Sequence, residues 1–116
     1  MPKHLLRSLR HALHGLRLVW HEERNFRIHI VAAVIVFLAM GLLHFSPTEA
    51  ALFTMMILLV LGAEIVNTLL ENLLDIIEPR HHTAVGRMKD MMAGVVLLLS
   101  CGSLLVALFV FLAHFS

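Results

Sequence analysis

Charged residues are scarce in this sequence. Asp, Glu, Lys and Arg together make up only 15% of the 116 residues, whereas a soluble domain usually has about 25% charged residues. Hydrophobic residues instead account for 59% of the chain. The composition therefore indicates lipid as the solvent, and the length allows one domain at most.

Cysteine is also nearly absent, because Cys101 is the only one and it lies inside a long apolar run. A single thiol cannot form an internal disulfide, so nothing indicates an oxidising compartment. We expect no cleavable signal peptide either. The first stretch of the chain, about 25 residues, is basic throughout and lacks a compact apolar core followed by a small-residue cleavage site.

Common nucleotide and zinc motifs are missing as well. No GxxxxGK[ST] loop, GxGxxG loop or HExxH pattern occurs, so neither standard phosphate cradle is present and no structural zinc site is indicated. Nine histidines are present. We interpret His4, His11 and His14 as part of a basic helix face near anionic lipid headgroups.

The hydrophobic pattern predicts an all-α membrane protein with an N-terminal amphipathic surface helix plus three transmembrane helices. Residues 1–27 form the interfacial segment, in which Leu and Trp face one side and basic residues the other from Lys3 to Glu22. The helices that contain the spans are expected at 28–45, 49–78 and 87–113. Ser46 and Pro47 suit the start of the second of these, and Pro79 ends it. Residues 1–116 would form a single domain.

The cations predict the topology. All nine Lys and Arg residues lie before the first span or in the loop between spans two and three. The positive-inside rule therefore places both segments in the cytoplasm, with the C-terminus outside. We expect a multi-pass protein of the bacterial inner membrane.

One stripe of the second long helix carries most of the candidate chemistry. Glu64, Asn67, Glu71 and Asp75 are spaced three, four and four residues apart, which places them on one face. Glu64 follows an unbroken apolar run, and an acid inside the hydrocarbon is a functional candidate by default. The alternative is that the acids are only the polar end of a helix that emerges into water, which suits Asp75 and Glu78 better than Glu64.

Three kinds of function remain open from these residues. Carboxylates can hold Mg²⁺ and take a proton from a hydroxyl, and Lys89 can neutralise phosphate charge, so the set suits phosphoryl transfer. The same acids and histidines also fit a proton or ion relay without kinase activity, although the acids cluster at one membrane face. The third reading is a non-catalytic assembly partner.

The pattern resembles a known family, the small prokaryotic lipid kinases that comprise diacylglycerol kinase and undecaprenol kinase. The similarity covers the chain from about residue 15 to its end. It is carried by residues 64–71 (Glu-Ile-Val-Asn-Thr-Leu-Leu-Glu) with Asp75, by residues 20–29 (Trp-His-Glu-Glu-Arg-Asn-Phe-Arg-Ile-His), and by His82, Gly86, Lys89, Asp90 and Gly94.

The resemblance implies a homotrimeric bundle whose active sites lie between subunits at the cytoplasmic face, with ATP as phosphoryl donor, Mg²⁺ as cofactor and a lipid alcohol as acceptor. No nucleic acid is expected among its partners. The implied roles are a catalytic base, Glu64; metal ligands, Glu23 and Glu71; ATP contacts, Glu23, Glu71, His82, Lys89 and Asp90; supporting residues, Asn67 and Asp75; and lipid contacts, Glu64, Arg27 and His29.

The lipid is either undecaprenol or diacylglycerol. Residues 23–29 and the hairpin at 46–49 are more similar to the undecaprenol kinase branch, because the diacylglycerol branch more often has a glutamate near the position of His29. His4, Arg80 and His81 depart from the family pattern, and no role is assigned to them.

Overall fold

Helices make up nearly the whole protein. The computed structural model describes residues 2–78, 80 and 83–116. Over these residues the chain forms α1 (Pro2–Glu22), α2 (Arg24–Leu42), α3 (Pro47–Ile77) and α4 (Thr83–His114). The helices α2, α3 and α4 are each long and apolar enough to cross a membrane. The predicted fold class, an amphipathic helix followed by three spans, is confirmed.

The end of α1 at Glu22 agrees with the amphipathic pattern, whereas α2 starts earlier than expected. The helix break falls at Glu23, so α2 begins at Arg24 and not at residue 28. Arg27 explains how the break is stabilised, because its guanidinium Nη1 donates to the carbonyl oxygens of Trp20 at 2.7 Å and His21 at 3.1 Å. These carbonyls belong to the last turn of α1, which lacks intrahelical partners.

The other helix ends also differ from the predicted ones by a few residues. α2 ends at Leu42 and not at 45, and α3 begins at Pro47. α4 begins at Thr83, one turn before the predicted residue 87, and ends at His114. The polar loop between α3 and α4 is therefore shorter than the sequence indicated.

A tight hairpin joins α2 to α3. The amide of Phe45 donates to the carbonyl of Met40 at 3.1 Å, and His44 adopts a positive φ of 56°. This is a Schellman-type helix end with histidine at the left-handed position. Ser46 and Glu49 then form a reciprocal capping box at the start of α3, at 2.8 and 3.2 Å. The predicted cap at Ser46 is confirmed.

Replacing His44 by glycine is expected to stabilise the protein. The left-handed conformation costs a residue with a Cβ about 1–2 kcal/mol, and part of this gain is lost to the greater freedom of glycine in the unfolded chain. The free energy of unfolding should rise by about 0.5–1 kcal/mol. Thermal unfolding in detergent measures it, with His21→Gly, inside the last turn of α1, as a control that should destabilise.

The best-packed part of the chain lies near this hairpin. Met40, Phe53 and Val110 form its buried centre. Phe45 packs on the ring of Phe53 with centroids 5.4 Å apart. α4 is tied to the same end by His114, whose Nδ1 lies 3.0 Å from Glu49 Oε1 and whose Nε2 lies 2.9 Å from the carbonyl oxygen of Leu43.

Elsewhere the three spans bury little of their surface in one another. The most apolar windows of α2, α3 and α4 are only 17%, 11% and 6% buried. Large apolar side chains such as Leu38, Leu58 and Leu98 are more than 60% exposed. Such faces are suited to lipid or to other copies of the chain and not to water.

Candidate active site

The acidic stripe lies in the half of α3 that is remote from the hairpin. At 1.5 Å per residue, Glu64 is about 26 Å along the helix axis from Pro47, and Glu71 is about 10 Å further on. The hydrocarbon core of a bilayer is about 30 Å thick. If the apolar layer begins near Pro47, its far edge falls close to Glu64 and before Glu71.

Glu64 is buried although it is an acid. Only 8% of the residue is exposed. His29 of α2 lies beside it, with Nδ1 of the imidazole 3.0 Å from Oε1 of the carboxylate. The angles do not complete a hydrogen bond, and Nδ1 is buried without an aligned partner among the described residues. The contact is therefore a close approach of two polar groups and not a completed hydrogen bond.

Thr68 is buried one turn further along α3. Its hydroxyl donates to the backbone carbonyl of Glu64 at 3.0 Å. The hydroxyl proton is therefore used within α3 and does not contact the Glu64 carboxylate. Asn67, on the same stripe, has a side-chain oxygen that is buried and lacks a partner among the described residues. A buried acceptor of this kind usually has a ligand, a water or another chain to bind.

Glu23 and Glu71 are both half-buried. Glu23 occupies the N-cap position of α2, yet its side chain makes no capping hydrogen bond. Within the described part of the chain, neither carboxylate forms an ion pair. No group of three or more His, Cys, Asp or Glu side chains placed to hold a metal ion occurs there. The described residues of one copy therefore do not by themselves form a three-residue metal site.

The structure brings Asp75 and Lys89 together where α3 ends and α4 begins. Nζ of Lys89 lies 2.6 Å from Oδ1 of Asp75. The Asp75 side chain is 63% exposed and that of Lys89 is 33% exposed, so the pair adds little to stability. Its effect is to fix the ammonium near the acidic stripe. Asp90, next in sequence, is exposed.

Arg27 and His82 are the remaining expected site residues. The guanidinium of Arg27 is occupied by the carbonyls at the end of α1, so its expected contact with lipid stays a prediction. His82, expected to contact ATP, lies outside the described residues, as does His81.

An apolar groove of about 330 Å³ runs between α2, α3 and α4. Its walls include Ala33, Phe53, Ile57, Ser103 and Ala107, and His29 lies at one end. Since the same histidine contacts Glu64, the groove ends beside the buried acid. The sequence indicated the acidic stripe but not this groove, because its walls come from three separate helices.

The sequence was compared with models of known families. The model of prokaryotic diacylglycerol kinase matches residues 10–111, which include the acidic stripe, its histidine neighbour and the Asp75–Lys89 pair. The chain belongs to the prokaryotic diacylglycerol kinase family.

Individual members of this family are similar over most of the chain. A diacylglycerol kinase from Synechocystis sp. is 35% identical over 103 residues, which cover 88% of this chain and 59% of that protein. An undecaprenol kinase from Bacillus subtilis is 31% identical, over 91% of this chain and 86% of its own length. A diacylglycerol kinase from Escherichia coli is 29% identical, over 81% and 77%. The chain thus spans less than two thirds of the Synechocystis protein.

Proposed function

We propose that this member of the diacylglycerol kinase family transfers the γ-phosphoryl group of ATP to the hydroxyl of a membrane lipid. The observation that carries the proposal is the buried carboxylate of Glu64. Measured along α3 from Pro47, it would lie close to one edge of the apolar layer, and its neighbour His29 lines a groove that suits a lipid chain. It also shares a helix face with the more water-accessible Glu71. A lipid from the membrane and ATP from the water could therefore both reach the helix face that carries these two acids.

Depth along α3 separates the roles of the two acids. Glu64 is the deeper one, so it is the acid that a lipid hydroxyl reaches, and we assign it as the general base. Glu71 is two helical turns closer to water, where nucleotide phosphates arrive. A base must lie within about 2.6–3.2 Å of the atom that carries the proton, so the proposal requires a lipid hydroxyl to come this close to the Glu64 carboxylate.

In the proposed phosphoryl transfer, the lipid oxygen bonds to the γ-phosphorus of ATP. At the same time the bond from that phosphorus to the β–γ bridging oxygen breaks, and ADP leaves. The proton of the lipid hydroxyl passes to the carboxylate of Glu64. Phosphoryl transfer depends on positioning and on charge neutralisation, and Lys89, held by Asp75, supplies a positive charge for the phosphates.

Glu23 and Glu71 are the proposed ligands of Mg²⁺, and neither is engaged in an ion pair within the described chain. Asn67, one helical turn before Glu71, has a buried oxygen without a partner among the described residues. Mg²⁺ prefers oxygen ligands and is usually held by one or two carboxylates together with substrate phosphates. When bound, it neutralises phosphate charge. Asp90 and His82 are proposed as further ATP contacts, and Asp75 and Asn67 as supporting residues.

The assembly we propose is a homotrimer in the inner membrane, with the N-terminus and the active sites at the cytoplasmic face. The lack of a three-residue metal site among the described residues of one copy and the small buried fraction of its spans both support this arrangement. The cation distribution supports the orientation. The acceptor lipid is undecaprenol or diacylglycerol, and His29 favours the former.

The direct test is a phosphorylation assay. Purified protein in mixed micelles with Mg²⁺ and labelled ATP should transfer label to undecaprenol or diacylglycerol, and a chelator should abolish the transfer. Both lipids offered together in one preparation would rank them. If neither lipid takes up phosphate while the protein conducts ions or protons in liposomes without ATP, the chain is a relay and not a kinase.

A further inference from the structure

His29 connects the groove with the acidic stripe. Its ring lines the end of the groove, and its Nδ1 lies 3.0 Å from Oε1 of Glu64. The side chain of Glu64 is 11% exposed and that of His29 is 34% exposed. The imidazole therefore adjoins both the groove, where a lipid hydroxyl would arrive, and the acid that would accept its proton.

The close approach suits a donor on His29. An unprotonated Nδ1 and an ionised carboxylate would both present lone pairs and would repel each other at 3.0 Å. An imidazole with its proton on Nδ1 can instead donate to the ionised carboxylate that a general base requires. The unaligned geometry resembles that of many sites without substrate, whose hydrogen bonds tighten when the substrate binds.

Other polar neighbours do not take this role. Arg27, on the same helix as His29, donates to the carbonyls of Trp20 and His21. Thr68 donates to the backbone of Glu64 and not to its side chain. Over residues 2–78, 80 and 83–116, the polar side-chain contact of the Glu64 carboxylate is the one with His29.

We propose that His29 is a positioning residue for the catalytic base. Its Nδ1–H holds Oε1 of Glu64 and leaves Oε2 free for the lipid hydroxyl. When the lipid O–H bond breaks and the Oε2–H bond forms, the proton on Nδ1 stays in place. This role rests on the proposed kinase activity and adds to it the residue that orients the base.

Two substitutions of His29 separate positioning from simple packing. In His29→Asn, the amide nitrogen replaces Nδ1 and can still donate to Glu64, whereas His29→Leu removes the donor and keeps an apolar side chain. Leu should lower kcat by about 10–100-fold, as is typical when a residue that orients a catalytic group is lost. Asn should retain kcat within about five-fold, and KM for Mg-ATP should stay within about two-fold in both, since the nucleotide contacts are elsewhere.

A second comparison uses a background in which the base is already missing. If His29 acts through Glu64, then His29→Leu should change the residual rate of Glu64→Gln by less than about two-fold, because residues that act as a unit are not additive. His14→Leu, on the exposed face of α1, is the matched histidine control and should stay near the wild-type rate.

Several results would overturn the inference. An unchanged kcat in His29→Leu would do so while leaving the kinase assignment intact, provided that the wild type is active. The same holds if His29→Leu lowers the residual rate of Glu64→Gln by the same factor as it lowers the wild-type rate. It also holds if His29→Asn lowers kcat as much as His29→Leu does. An inactive wild type would instead remove the kinase function and this role with it.

Discussion

Glu64→Gln is expected to abolish nearly all lipid phosphorylation while leaving the protein folded and able to bind Mg-ATP. A positioned general base contributes about 10²–10⁴-fold to a rate, so kcat should fall by that factor. Glutamine has nearly the same shape as glutamate but cannot accept the proton. The loss should appear in kcat and not in KM for ATP, because Glu64 lies about 10 Å along α3 from the proposed metal ligand Glu71.

The stability of this variant should not fall although its activity is lost. An ionised acid at the centre of the bilayer costs about 2.5–3.5 kcal/mol, with less near the interface, and glutamine avoids part of that cost. The melting temperature should therefore stay equal or rise. Mg-ATP at 100 times its dissociation constant should still add about 2.7 kcal/mol to the stability.

Glu78→Gln is a suitable control for this experiment. Glu78 is the C-cap residue of the same helix and has no proposed role, so its variant should keep wild-type kcat and KM. If Glu64→Gln retains more than about a tenth of the wild-type kcat, the loss is smaller than a general base would give. The base would then have to be another group.

Most of the fold was predictable from the sequence because hydropathy and periodicity depend on each helix alone. The apolar runs locate α2, α3 and α4, and the basic and apolar faces locate α1. The start of α2 directly after Glu23 was predicted less well, since neither glycine nor proline marks it. It depends on Arg27, whose side chain donates hydrogen bonds to the last carbonyls of α1. Such a contact leaves no pattern in the hydropathy.

The candidate site was predictable along one helix and less so between helices. Spacings of three and four residues place Glu64, Asn67 and Glu71 on one face whatever α3 packs against. The 3.0 Å approach of His29 to Glu64 depends instead on how α2 and α3 are aligned, which side-chain packing decides. The contact between His114 and Glu49 at the opposite end was missed for the same reason.

The proposed assembly of several copies around one site follows only from the resemblance. The described residues of one chain hold no group of three metal-ligating side chains, and the exposed faces of its spans do not show what covers them. The question is therefore whether one site takes Glu23 and Glu71 from the same copy or from two copies.

Mixing two inactive variants is expected to restore activity if Glu23 and Glu71 of one site belong to different copies. Alone, Glu23→Gln and Glu71→Gln should each lower kcat by about 10²–10³-fold, the usual cost of losing one electrostatic contact to the transition state. In randomly mixed trimers formed from equal amounts, the two intact residues meet in about one site in four, so about 25% of wild-type activity should return.

The matched control mixes wild type with the double variant, Glu23→Gln with Glu71→Gln, in equal amounts. Sites shared between copies would retain about 25% of wild-type activity in this mixture, whereas sites built within one copy would retain about 50%. Sites within one copy would also give no recovery when the two single variants are mixed, because every site then carries one lost carboxylate. That pair of results would refute the shared site while leaving both acids as ligands. Wild-type activity in either single variant would instead remove that residue from the metal site.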